Sequence, residues 1–589
     1  MNYMLKPSIK KRIVNDRIYQ TLCSSGMPDL LSKIIASRLP SDFEKVEQVA
    51  KPKLSFLDNP FLLADMDKAS QRLIEALVNK EVIGIETDHD CDGQTSHAVI
   101  IEALTKWFNH PKEKIRSYIG HRMEEGYGLS EALAKRILDD SLKPDLIITA
   151  DNGSTDEPRI NLLKSHGIDT IVTDHHAIAL DGIPQSAVAV LNPTRNDCQF
   201  PDPYIAGCMV AWLLMAAVRK RLIENGYLSK PVDLKSVLDF VAVGTVADCV
   251  SMAKSVNNRA VVKAGLKQIE ASDRPCWQAM RQLFPRKINA EYLGFTVGPL
   301  LNSDGRLSDA YSSVSFLLSE SKNEAICWVD ELSKQNQKRK AIQKKMLDQA
   351  LALAKEQVEK AKTSICLYLE DGHAGVHGIA ASRIKDTFGR PVIFFSPKLN
   401  EPEVITASAR SIEMIHLKEL LDQIHQINPD LLIKYGGHKM AAGLSIKKDD
   451  LEVFGALFES LVKAQVDNHL LGPEIYTDGV ISDNSLTLET IELISQIEPF
   501  GREFDVPIFT LNAQLVSHRF VGQTLEHLQL LVRSESGKEY KAIWFFASRY
   551  PQSFKFEKND HLEVVFRLNE EEFNNRRSLG LIVEYCDYV

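Results

Sequence analysis

The sequence predicts an α/β protein in which an open parallel sheet is followed by a long connecting helix, a second α/β unit and a small closed β-barrel. Three observations carry that prediction. Over the first half, short and nearly continuous apolar runs alternate with helical patterns, as expected of strands covered by helices on both faces. A charged stretch from Asn323 to Lys362 contains neither Pro nor Gly. After Gly472 the pattern changes to short alternating strands separated by polar turns.

Residues 1–75 read as a helical N-terminal segment, and between Asp65 and Lys80 the apolar residues Met66, Ala69, Leu73, Ala76 and Leu77 recur with a helical period. The βα alternation occupies 76–310. Strands are expected at Val82–Ile85, Leu146–Ile148, Thr170–Val172 and Ala187–Leu191, with helices such as Ser96–Phe108 and Ser130–Leu138 between them. Over 311–363 the stripe Leu332, Ile342, Met346, Leu353 and Val358 predicts the connecting helix. Its basic residues Lys334, Lys338, Arg339, Lys340, Lys344 and Lys345 read first as a solvated face and second as a phosphate contact. The second α/β unit, 364–465, has strands near Ile365–Leu369 and Val392–Phe395 and Gly-rich turns at Gly372–Gly378 and Gly436–Gly443. Within 466–589 the runs His527–Arg533, Tyr540–Phe546, Leu562–Leu568 and Leu579–Tyr585 fit an OB-fold barrel.

Composition excludes several classes. The 589 residues carry a net charge of -9, which argues against a protein that coats nucleic acid over its whole surface but allows a local basic channel. The nine cysteines form no C-x-x-C pair, so neither a disulfide framework nor a zinc knuckle is expected, and reduced cytoplasmic thiols are the plain reading. The basic stretch Met1–Arg17 lacks the apolar core of a secretory signal. The longest apolar run, Ile205–Val218, has 14 residues and suits a buried helix rather than a membrane span.

Chemistry concentrates at the ends of the apolar runs. The first ends in Asp88-His89-Asp90-Cys91-Asp92-Gly93, the second in Asp151-Asn152-Gly153, the third in Asp174-His175-His176, and the run Phe240–Ala247 delivers Asp248. Taken singly, each has a bland explanation: a calcium loop, a turn, a packed histidine pair. An EF-hand would need a bidentate Glu at its spacing, which is missing. Together they present Asp and His from four strand ends, where open α/β sheets place ligands. Oxygen donors with one or two imidazoles suit Mn²⁺ or Mg²⁺ rather than a thiolate-seeking metal.

In this order, Asp-x-Asp-x-Asp-Gly, Asp-Asn-Gly, Asp-His-His and Gly-Thr-Val-Ala-Asp resemble the four motifs of the DHH phosphoesterases. The stretches Glu125–Leu129, Asn302–Leu307 and His373–Arg383 narrow the resemblance to the single-strand-specific exonucleases of that family. Ser408–Ser411 and Gly436–Gly443 resemble its DHH-associated domain, and Glu498–Gly501 the approach to its OB domain. The resemblance spans residues 20–589 and implies a two-ion site. Asp88, Asp90 and Asp151 would hold one ion, and Asp92, Asp151, His175 and Asp248 the other, with Asp151 bridging. His176 would donate to a phosphate oxygen. Arg122, Asn302, Arg306, His373, Ser408, Arg410, Gly436, Gly437 and His438 would bind the strand and its 5′-phosphate. The implied activity is 5′-to-3′ hydrolysis of single-stranded DNA to mononucleotides in repair and recombination, by a monomer that serves alongside a single-strand-binding protein and a helicase.

Several positions depart from the family pattern. His89 stands where an aromatic or other residue is usual, and Cys91 where Ala is usual. Pro299-Leu300-Leu301-Asn302 lacks an arginine, Asp304 adds a negative charge beside Arg306, and Arg502-Glu503-Phe504-Asp505 replaces a Gly/Asn-Pro turn. The competing readings are a DHH hydrolase acting on short oligonucleotides or cyclic dinucleotides, a non-catalytic DNA-binding scaffold, and a pyrophosphatase. The barrel counts against the first and third, and the complete carboxylate set against the second.

Overall fold

The computed structural model describes residues 4–121, 125–179, 182–228, 232–303, 305, 310–398, 401–467, 471–573 and 576–589. The chain divides into two compact units, one of residues 15–337 with 497–505, the other of residues 1–14, 338–496 and 506–589.

The first unit is built on a five-stranded parallel sheet in the order Ile115–Ile119, Ile83–Thr87, Leu146–Ala150, Asp169–Thr173, Ala189–Leu191. Ile83–Thr87 and Leu146–Ala150 are buried at every residue, which is why they read as nearly continuous apolar stretches, interrupted in the first by Glu86, and not as alternating ones. The chain leaves Ile83–Thr87 toward one edge of the sheet and returns on its other side. That reversal opens a crevice at the carboxyl ends of the strands.

One expectation changes here. The run Phe240–Ala247 is not a strand but part of the helix Leu238–Ala247, with Asp248 at its C-cap. The helix is buried on nearly all sides, and an all-round apolar helix of this length cannot be told from a buried strand by periodicity.

The second unit holds a five-stranded sheet in the order Lys434–Gly437, Ala441–Lys447, Glu401–Arg410, Val392–Lys398, Ile365–Tyr368; only the last pair is parallel. Alternate residues face opposite cores. Ile393 and Phe395 pack with the helices Leu417–Ile427 and Leu451–Gln465. Val392 and Phe394 pack with Ala374–Phe388 and with Met346, Ala350 and Ala354 of the helix Lys322–Glu359. That helix, 38 residues long, follows a separate helix at Tyr311–Leu317, so 311–363 is not one continuous helix.

A closed five-stranded barrel completes the unit, with strands Phe509–Val521, His527–Ser534, Glu539–Trp544, Arg576–Tyr588 and His561–Phe573 in that order round the ring. The N-terminal segment is not all helical either. Ser8–Lys11 forms a strand parallel to Glu474–Thr477, a long-range pairing that no local pattern announces. No helix among the described residues is long and apolar enough to cross a membrane.

Candidate metal centre and strand-binding face

The Asp-x-Asp-x-Asp-Gly stretch is the turn from the strand Ile83–Thr87 into the helix Cys91–Glu102. Asp90 is the N-cap, accepting from the amides of Asp92 at 2.9 Å and Gly93 at 3.2 Å. Gly93 permits the tightness of that turn, since a Cβ there would lie 2.2 Å from the Asp88 carbonyl oxygen. The neighbouring strand Leu146–Ala150 ends at Asp151, whose φ of 65° is the left-handed conformation rare outside glycine. Strain of this kind persists where the surroundings over-determine it, commonly at functional sites.

These strand and helix ends bring the expected donors together. Ligand atoms of Asp88, Asp90 and Asp151 lie within 4.8 Å of one another, as do those of Asp92, His175 and Asp248, and those of Asp151, His175 and His176. His175 Nε2 sits 3.1 Å from Asp151 Oδ1, 3.6 Å from Asp248 Oδ2 and 3.8 Å from Asp92 Oδ2. Burial, reinforced by Asp92, Asp90, Asp248 and Asp88, pushes the Asp151 carboxyl far above its usual range. Burial with Asp92 and Asp90 does the same at Asp248, and burial with Asp88 and Asp92 raises Asp90. Such a crowd of carboxylates is relieved by cations. Its hard oxygen donors with the imidazole of His175 fit divalent Mn²⁺ or Mg²⁺.

The two histidines are driven apart. Burial and the neighbouring His176 lower His175, favouring the neutral imidazole that ligation requires. At His176 burial opposes the charged form, but the 2.8 Å contact from Nδ1 to Asp174 and the surrounding carboxylates raise it to about 10. Asp174 is buried too. The hydrogen bond from His176 and both imidazoles outweigh that burial and hold its carboxyl below the usual range. His176 Nε2 lies 3.2 Å from the hydroxyl of Tyr127.

Several supports escaped the sequence reading. The helix Gly207–Glu224 was expected only as a buried helix, yet its first amides grip Asp92: Gly207 N donates to Oδ2 at 2.7 Å and Cys208 N to Oδ1 at 3.0 Å. Glu86, buried in the first strand, accepts from Asn152 Nδ2 at 3.1 Å. The clue was a carboxylate inside an apolar run. His89 turns to Asp88, with Nδ1 2.8 Å from Oδ1. Asn302, expected to meet substrate, accepts from the Cys91 amide at 2.9 Å and so braces the same turn. Its side chain lines a cavity of about 300 Å³ with Asp88, His89, Asp90, Gly126, Tyr127 and Gly305. Arg122 and Arg306 lie outside the described residues.

The remaining expected residues gather in the other unit. Register aligns Gly436, Gly443, Ser408 and Phe394 across four strands, with Arg410 two residues beyond Ser408 on the same face. The helix Ala374–Phe388 begins over that face. A Cβ on Gly378 would meet Arg410 Nη2 at 2.9 Å and Ser408 Oγ at 3.3 Å. Arg410 Nε donates to Ser382 Oγ at 3.1 Å. His373 is the N-cap of the helix, its Nδ1 accepting from Gly375 N at 3.1 Å. His438 N donates to the Ala441 carbonyl at 2.8 Å, closing the turn after Gly437.

Comparison with known proteins agrees with this architecture. The DHH family N-terminal domain matches residues 82–245, the DHHA1 domain 361–464 and the RecJ OB domain 477–585. The chain is 34% identical to the single-stranded-DNA-specific exonuclease RecJ of Salmonella typhimurium, over 95% of this chain and 96% of that protein. A crystal structure of RecJ with Mn²⁺ from Thermus thermophilus superposes with a TM-score of 0.79 at 23% identity, covering 99% of this chain and 80% of that one. A second, of exonuclease RecJ bound to manganese, is 30% identical with a TM-score of 0.56, covering 69% of this chain and 96% of that one. With these domains in this order and the RecJ relative matched over nearly its whole length, the chain belongs to the RecJ family of DHH phosphoesterases.

Proposed function

We propose that this protein is a single-stranded-DNA-specific exonuclease that hydrolyses phosphodiesters with two divalent cations, Mn²⁺ or Mg²⁺, releasing mononucleotides from the 5′ end. The observation that carries the reading is the pair of donor sets, Asp88/Asp90/Asp151 and Asp92/His175/Asp248, drawn together at the strand and helix ends with Asp151 and His175 in contact. Asp151 would be shared between the two ions. Bound there, such ions supply an activated water and charge neutralisation at the scissile phosphate.

The chain's own groups do the rest. Asp174 holds His176 in one orientation through Nδ1, and Nε2, which here meets the Tyr127 hydroxyl at 3.2 Å, would exchange that partner to donate to a phosphate oxygen as charge builds there. In the other unit, Ser408, Arg410 and the Gly436–Gly437 backbone would take the 5′-phosphate. An arginine fork matches phosphate oxygens, and glycine lets a backbone approach closely. Arg122, Arg306, His373 and His438 belong to the same proposed set. The barrel exposes Phe545 and Phe546, 48% and 43% accessible, with Arg549 4.4 Å over the Phe546 ring. Rings interleaved with cations suit stacking of unpaired bases.

The same reading extends to a cytoplasmic monomer acting in DNA repair and recombination with a single-strand-binding protein and a helicase. An end-labelled degradation assay with and without Mn²⁺ tests its centre, on single-stranded DNA, duplex DNA, RNA and dinucleotides. Immediate loss of a 5′ label from single-stranded DNA alone is expected. Label that persists at the 5′ end while the 3′ end shortens would reverse the polarity.

A further inference from the structure

We propose that Arg502 is a phosphate-binding residue of the nuclease site, offering its guanidinium beside Asp248 to a non-bridging oxygen of the DNA backbone. The inference rests on the nuclease reading above. It starts from the segment 497–505, which precedes the barrel in sequence yet folds with the catalytic unit.

That segment is anchored from below. Arg259 is fully buried and donates to three carbonyls, of Val49 at 2.8 Å, Pro499 at 2.9 Å and Ile497 at 2.7 Å, with Phe504 stacked 4.1 Å from its guanidinium. Above this anchor Gly501 and Phe504 exchange backbone hydrogen bonds at 3.0 Å, closing a tight turn with Arg502 and Glu503 at its tip. Glu503 has a φ of 64°, a conformation that glycine ordinarily supplies. It is held there by Ser251 Oγ and by Lys254 Nζ at 2.9 Å.

The turn lies along the chain that leaves Asp248. Met252 N donates to the Arg502 carbonyl at 3.0 Å, and Arg502 Nη1 to the Cys249 carbonyl at 3.4 Å. Cys249 is itself left-handed, with a φ of 57°. Two strained non-glycine residues therefore meet at one corner, beside a proposed metal ligand. Strain kept at such a junction marks a geometry the fold over-determines. Lys254, at the same corner, is consumed by Glu503. Among the described residues Arg502 makes no ion pair, and it is exposed. A planar, permanently charged fork on the rim of an acidic pocket is suited to draw in a polyanion that the carboxylates alone would repel.

The test compares Arg502→Gln and Arg502→Lys with the unaltered full chain. Four quantities are read: kcat and KM on 5′-phosphorylated single-stranded DNA with Mn²⁺, affinity for the same strand with Ca²⁺ in place of Mn²⁺, Mn²⁺ affinity by calorimetry, and Tm. Arg502→Gln should weaken strand affinity and raise KM by about ten- to a hundredfold, the range for losing a charge-assisted hydrogen bond. Mn²⁺ affinity and Tm should stay unchanged, and Arg502→Lys should restore part of the loss. Unaltered strand affinity in Arg502→Gln would overturn the proposal. So would a fall in Mn²⁺ affinity or Tm large enough to account for the weaker binding, since Arg502 would then only position Asp248 or hold the turn. If the unaltered protein binds the strand but cuts nothing, the nuclease reading fails, while the affinity comparison still decides the role of Arg502.

Discussion

In the proposed exonuclease the two sheets of this protein would serve phosphate chemistry in opposite ways. The first gathers Asp88, Asp90, Asp92, Asp151 and Asp248 at its strand and helix ends, with Asp88, Asp92 and Asp151 deeply enclosed and Asp90 and Asp248 half-buried, so that mutual repulsion and burial make the pocket incomplete without cations. The second presents a face of almost no side chains, Gly436, Gly443 and Ser408 in a row, with Arg410 beside them. One stores negative charge where water is scarce; in the proposed exonuclease the other would clear space so that backbone and one guanidinium could reach an anion. Charge crowding makes the first intolerant of change at nearly every atom. The second should tolerate change wherever its open space is not filled.

The largest effects belong to the first sheet. Asp151→Asn keeps the volume but removes the shared charge. Turnover should fall beyond the roughly hundredfold that losing a supporting group costs a metal site, with a matching loss of Mn²⁺ affinity by calorimetry. Gly93→Ala tests the turn without touching a ligand. Its Cβ would stand 2.2 Å from the Asp88 carbonyl oxygen, so the backbone must move and carry Asp88 and Asp90 with it. Both Tm and Mn²⁺ affinity should drop. Wild-type activity in either variant would break the contrast, because the acidic pocket would then be no more exacting than the glycine face.

The same contrast explains what could be read from the residues alone. Asp88, Asp151 and Asp174 follow apolar runs directly, so pattern and chemistry coincide and the centre was legible before any coordinates. Asp248 was legible as a donor but not as a helix end, because the buried helix Leu238–Ala247 has no polar face to reveal its period. The grip of Gly207 and Cys208 on Asp92 depends on a packing 115 residues or more along the chain. No local pattern encodes it. The pairing of Ser8–Lys11 with Glu474–Thr477 was hidden for the same reason. On the second sheet the residues were named by motif, but their alignment is a matter of strand register, which one sequence does not state.

Arg410→Ala is expected to act next most strongly. It should raise KM for 5′-phosphorylated DNA by about tenfold or more, with kcat changed less. The ratio of 5′-phosphate to 5′-hydroxyl substrates is the discriminating measurement, and an unchanged ratio would remove Arg410 from the end-reading set. Gly436→Ala then separates folding from binding. No atom lies within 4 Å of a Cβ at that position, so Tm should hold. Any weakening of strand affinity would report the DNA backbone itself meeting the methyl group.

The smallest effect is the one that isolates burial from function. Glu86 lies beneath the centre, fully enclosed, and burial followed by repulsion from Asp156 raises its carboxyl well above the usual range. A carboxyl raised in the folded state is protonated there while the unfolded chain has already released its proton. The stability of the folded form is therefore complete below the ordinary glutamate range and diminishes as pH rises through the elevated value. Glu86→Gln keeps the shape and the acceptor for Asn152 Nδ2 but cannot ionise. In metal-free protein its Tm should match wild type near about pH 4 and fall less than wild type toward about pH 8. Parallel Tm curves would mean that Glu86 carries the same charge in the folded and unfolded states throughout that interval, so that burial does not raise its carboxyl. The acidic pocket would then owe its instability to Asp90, Asp151 and Asp248 alone, the carboxylates that cations relieve.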